Sequence, residues 1–165
     1  MTPAITLEEL LAWDQEASNF WKAHLDANRT LLELPCAIGG TVNVQGFVRH
    51  IWGVELRWAQ RIAGLHALAR EEVPAGPLDA LYDLHLKAVQ IFRSLLDDPA
   101  QDWGETFTMP NDRLPPGIGT VSRRKVLAHA LFHSQRHWAQ LATLVREAGF
   151  SSGFNGDLFF SPGIK

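Results

Sequence analysis

The chain has 165 residues, 46% of them hydrophobic, with 15 basic and 18 acidic side chains and a net charge of -3. That size and apolar content predict one domain over residues 1–165, and without a basic block there is no electrostatic footprint for nucleic acid. A single cysteine, Cys36, excludes an internal disulfide and a cysteine-rich zinc module, and the absence of a secretory leader and of any apolar run of about 18 residues predicts a cytoplasmic chain that does not enter a membrane.

The first predicted helix runs from about Thr6 to Leu34. It opens on Thr6 and Glu9, a T-x-x-E capping box, and it carries Trp13, Ala17, Phe20, His24 and Leu31 on one stripe. Pro35 and the pair Gly39–Gly40 end it. Asn43 is the expected cap of a second helix over about Val44–Leu68, with Phe47, Ile51, Val54, Trp58, Ile62 and Leu65 on its apolar face and His50 at the edge of that face. The segment EEVPAGP breaks this pattern.

A third helix is expected over about Leu78–Leu96 and closes at Asp97-Asp98-Pro99. Residues 101–119, rich in proline and glycine, read as an irregular crossover holding a short strand within ETFTM. The fourth helix runs from about Val121 to Ala148, with Thr or Ser near residue 120 as its cap and Gly149 as its stop. The tail ends in the short apolar piece Leu158–Phe160, expected to dock on the body. Four long helices with one long connection before the last predict an all-α four-helix bundle.

Seven histidines are spread along the chain, and three of them concentrate the chemistry. His133 and His137 lie in HALFHSQRHWAQL with H-x3-H spacing, which stacks two imidazoles on one face of a helix. At about 100° per residue, Val126, His129, Ala130, His133, His137, Gln140 and Leu141 share the core-facing stripe. An unpartnered imidazole there is costly, so it needs a hydrogen bond or a metal. His50, in GFVRHIWGVELRW on another helix, is placed to supply a third ligand. Three protein ligands with an open position are the arrangement of a catalytic metal site. Imidazoles suit zinc, nickel, copper and iron(II). The glutamate of H-E-x-x-H is missing, since Ser134 and Gln135 follow His133, so the metalloprotease pattern does not apply.

The other polar candidates have plainer readings. His24 and His129 read as hydrogen-bonded residues or as groups near the site, and His66 and His85 as surface or boundary residues. Glu55 stands about 140° around the helix from His50 and is a poor co-ligand; an interhelical salt bridge or a dimer contact is its favoured role. Gln140 shares the histidine stripe and is placed to orient a ligand or a water. Trp13, Phe20 and Trp58 are candidates to wall an apolar pocket.

The segments GGTVNVQGFVRHIWGVELRWAQRIAG and TVSRRKVLAHALFHSQRHWAQLATLVREAG, with the tail GDLFFSP, resemble the second helix, last helix and tail of the DinB-like (DinB/YfiT) superfamily of metal-dependent enzymes. The resemblance spans nearly the whole chain. It implies a four-helix bundle of that type with a long crossover between helices three and four. It implies a divalent metal, nickel or zinc, on His50, His133 and His137, and frequent homodimers. It further implies a small-molecule substrate, with transferase or isomerase chemistry dependent on a low-molecular-weight thiol, or hydrolysis. The alternative is a non-catalytic, dimeric, stress-related protein that binds a metal or a small ligand. The run Arg136-His137-Trp138-Ala139-Gln140 departs from the superfamily's common pattern, and Trp138 is expected at a pocket rim or dimer contact.

Overall fold

The computed structural model describes residues 4–108 and 119–164. Its helices are α1 (Leu7–Ala27), α2 (Val44–Ile62), α3 (Leu78–Leu96) and α4 (Arg123–Glu147). Strands β1 (Thr106–Thr108) and β2 (Thr120–Ser122) pair antiparallel in the connection before α4, with Phe107 opposite Val121. The all-α four-helix bundle is therefore the observed architecture, with one small two-stranded ribbon. Most of the crossover (residues 109–118, including the end of ETFTM) lies outside the described residues. No helix among the described residues is long and apolar enough to cross a membrane.

The caps follow from local chemistry. Thr6 and Glu9 close the capping box at α1. Asn43 accepts from the Gly46 amide at α2, and Ser122 from Lys125 at α4. Gly149, with φ of 85°, follows the end of α4 in the left-handed region that glycine tolerates.

Two helices stop earlier than the apolar pattern predicts. α1 ends at Ala27, where the Asn28 side chain donates back to the His24 carbonyl, and a 3-10 turn over Arg29–Glu33 follows. α2 ends at Ile62, and Leu65, expected on its apolar face, is 54% exposed. Gly64, with φ of 69°, turns the chain there.

The buried face of α1 is rotated from the predicted stripe. Leu10, Leu11, Asp14, Ala17, Ser18, Trp21 and Leu25 face inward, whereas Trp13, Phe20 and His24 are half-buried. The aromatic edge is covered by the tail instead. Phe154 packs on Phe20 and Trp21, while Glu16 accepts from the Ser161 hydroxyl at 2.8 Å and the Gly163 amide at 2.9 Å. The tail thus docks, but Phe159 and Phe160 point outward, 84% and 62% exposed.

At the centre of the bundle three indoles meet: Trp138 stacks on Trp21 at 5.9 Å and meets Trp52 edge-on at 5.6 Å. Trp138 is completely buried, so its expected place at a rim or dimer contact is corrected. It lies one residue from His137 around α4 and fills the space between α1 and α2. α2 packs against both α3 and α4.

Candidate metal centre

His50 of α2 and His133 and His137 of α4 come together. Each offers a ring nitrogen, and the three nitrogens lie within 4.8 Å of one another. The α4 pair follows from its spacing: four residues apart, the rings stand 4.3 Å apart, with the two Nε2 atoms at 3.1 Å. His50 reaches them because α2 packs on α4, with ring separations of 5.3 Å to His133 and 5.1 Å to His137. Phe47, one turn before His50, is buried and meets both the His50 and His137 rings. Gly39, with φ of 65°, closes the other side; a Cβ there would lie 3.3 Å from His50 Nε2.

A hydrogen bond behind the cluster sets the tautomer of His137. Gln140 Oε1 stands 2.6 Å from His137 Nδ1. A carbonyl oxygen only accepts, so Nδ1 carries the proton and Nε2 presents its lone pair toward His133. Gln140 therefore orients a ligand-type histidine, the role its place on the stripe predicts. Burial, and after it the neighbouring charge of His137, pushes His50 down to about 4 and His133 down to about 2. Burial also lowers His137, against the Gln140 bond. At neutral pH all three are neutral donors, the form a metal requires. The set is all nitrogen and carries no charge of its own, which fits zinc, nickel, copper or iron(II) better than a hard oxygen-seeking ion.

The site opens into a cleft of about 990 Å³ whose walls include His50, His133, His129, Trp58 and a run of arginines. The outer wall is the loop from residue 63 to 77. Side chains along one face of α2 hold that loop by its backbone: Gln45 donates to Gly76 O at 2.7 Å, Arg49 to Val73 O at 3.1 Å and Arg57 to Leu68 O at 2.8 Å, while Gln60 accepts from the Leu68 amide. Gly53 sits in the same row. Its missing side chain lets Val73 lie flat on the helix, since a Cβ would meet Val73 Cγ1 at 2.6 Å.

The aromatic candidates divide. Trp58 lines the cleft, with His129 edge-on to it at 5.6 Å. Trp13 and Phe20 instead border a separate small recess under the tail, so the three do not wall one apolar pocket. His24 stacks on Phe20 at 5.7 Å, away from the cleft. His66 is exposed, as expected.

His85 is not a surface residue. It belongs to the inward row Leu81, His85, Ala88, Phe92, spaced at four, three and four residues, and it is fully buried. Its Nδ1 lies 2.9 Å from Glu55 Oε2, so Glu55 does make an interhelical pair, here inside the core. Asp14 of α1 completes a buried group whose ligand-type atoms also lie within 4.8 Å of one another. Burial pushes the Glu55 carboxyl up to about 8, and burial with the Glu55 charge raises Asp14 well above its ordinary value. Neither Asp14 oxygen has a donor as a carboxylate; a proton held between Asp14 and Glu55 turns two repelling acceptors into a hydrogen-bonded pair. Asp14 had one legible trace, a carboxylate spaced at three and four residues from Leu10, Leu11, Ala17 and Ser18.

A helical bundle with three convergent imidazoles, two of which line an open cleft, defines a class of protein with a ligand set for a divalent metal. The sequence profile of the DinB family matches residues 37–155, and the chain belongs to that family. The match contains α2, α3 and α4, and with them all three histidines. No curated protein matches the chain.

Proposed function

We propose that the protein is a metal-dependent enzyme whose nickel or zinc ion is held by His50, His133 and His137. The observation that carries this reading is the convergence of three neutral, buried-edge imidazoles, two of which line a cleft large enough for a small molecule. A divalent ion held by three residues keeps a position for an exogenous ligand, and it lowers the pKa of a water or thiol there toward neutrality. The protein's own contribution is positional. Gln140 fixes the His137 ring, Phe47 and Gly39 confine His50, and the clamped loop walls the cleft above them.

The reaction we infer is transfer or isomerisation of a small electrophile with a low-molecular-weight thiol, or hydrolysis where water takes the thiol's place. The experiment is elemental analysis of untagged protein after loading with nickel or zinc, compared with His133→Ala, followed by assays with an electrophilic substrate with and without added thiol. Metal loss in the variant together with metal-dependent turnover is the expected result. A wild-type protein that holds no stoichiometric metal after loading would refute the reading. Stoichiometric metal without turnover would favour a metal-binding protein that is not an enzyme.

A further inference from the structure

The cleft above the three histidines is charged in a way the whole chain is not. Its walls carry Arg49, Arg57, Arg61 and Arg70 against one acidic residue, Glu71, although the chain has a net charge of -3. None of the four arginines forms an ion pair among the described residues. Arg49, Arg57 and Arg70 donate only to backbone carbonyls: Arg49 to Val73 and Pro74, Arg57 to Leu68 and Arg70 to Gly39. Arg61 lies over the Trp58 ring, 5.0 Å from its centroid. Carbonyl oxygens and an indole face orient a guanidinium without neutralising it. Such a concentration of one sign of charge in a walled cleft attracts anions and raises their local concentration. Burial, and after it the charge of Arg61, holds Arg57 below its ordinary value, a sign of like charges crowded together.

The spacing narrows the ligand. Arg49, Arg57 and Arg61 stand on one helix, and twelve residues at ~1.5 Å each put the outer pair about 18 Å apart along the axis. A single compact ion cannot touch both ends of that row. A guanidinium fork matches carboxylate geometry with two parallel hydrogen bonds. His50 and His133 line the same cleft, so a molecule stretched along the arginines passes the metal centre.

We propose that the cleft takes an elongated small organic molecule bearing two or more carboxylate-type anionic groups, gripped by the arginines that line it together with His50 and His133. This deepens the proposed metal-dependent function by naming its substrate or cosubstrate class, and it rests on that reading for the ligand's reacting end alone.

The test is direct binding of linear dicarboxylates from succinate to sebacate, with their dimethyl esters, to nickel-loaded protein by calorimetry. The expected result is tighter binding of the longer diacids, diesters at least tenfold weaker, and affinity that falls as salt rises. Arg61→Gln and Arg70→Gln should each weaken the diacid several-fold with metal content unchanged, and Arg61→Lys should recover part of the loss. His133→Ala protein, devoid of metal, should still bind the diacid through the arginines. Failure of metal loading with diacid binding intact therefore overturns the metal reading and leaves this one standing. Diacids and diesters of equal affinity, or salt-independent diacid binding, overturn the inference even where the arginine variants do not fold.

Discussion

Replacing Glu55 by glutamine should flatten the pH dependence of stability above neutrality. Glu55 is fully buried, and its carboxyl is raised from 4.5 to about 8. The folded protein therefore keeps a proton that the unfolded chain releases near 4.5. Stability from this group is complete below that value and is lost as pH rises toward 8, because the native state then binds more protons than the unfolded one. The lowered histidines act in the opposite sense only near and below 6.5, where their unfolded forms gain a proton. Between pH ~7 and ~9 they are silent. One unit of that window lies below the Glu55 value, so Glu55 alone costs about 1.4 kcal/mol there, with raised Asp14 adding in the same direction. Urea denaturation of chelator-treated protein at both pH values measures it. The wild type should lose at least that amount and Glu55→Gln distinctly less. A wild-type stability unchanged across the window, or an identical loss in the variant, would refute the assignment of a held proton to this cluster.

The remaining predictions concern the centre and its wall. His133→Ala should lose the metal equivalent measured by elemental analysis while its helical circular dichroism persists. Gln140→Leu should keep the metal but weaken it about 10- to 100-fold in a chelator competition, because His137 loses the partner that fixes its tautomer. Gly53→Ala should cost about 1–3 kcal/mol in denaturation, since its Cβ would overlap Val73; a neutral effect would mean the loop does not lie against α2. Trp138→Ala should cost about 3–5 kcal/mol as a cavity between Trp21 and Trp52.

What was legible in the sequence is what local spacing determines. α3 matches its predicted span because Pro77 and the Asp97-Asp98-Pro99 stop bracket it. His133 and His137 are juxtaposed by helical geometry alone, and Gln140 follows from the same turn. His50 is not placed by local spacing; the packing of α2 on α4 brings it to the pair. The Asp14–Glu55–His85 group was hidden because its members come from three helices, and a polar residue on an apolar stripe does not reveal its partner. The buried face of α1 departs from its apolar stripe because Phe20 packs on Phe154 of the tail and Trp13 meets Phe132 at the edge of the bundle. The loop clamp left only a row of Gln45, Arg49, Arg57 and Gln60, a pattern that reads as an ordinary solvated face.

A bundle helix usually keeps one face for water, but none of the residues of α2 is exposed. One side is core, another gives His50 to the histidine cluster, a third gives Glu55 to the buried acid pair, and the last grips the loop. This leaves α2 without a neutral side on which substitutions can drift freely. In a saturation-mutagenesis screen it should emerge as the least permissive helix at every phase of its turn, whereas α1, α3 and α4 each retain a tolerant stripe. Any lineage that reshapes the cleft would then do so by altering what α2 faces, through the loop and α4, more readily than by altering α2 itself.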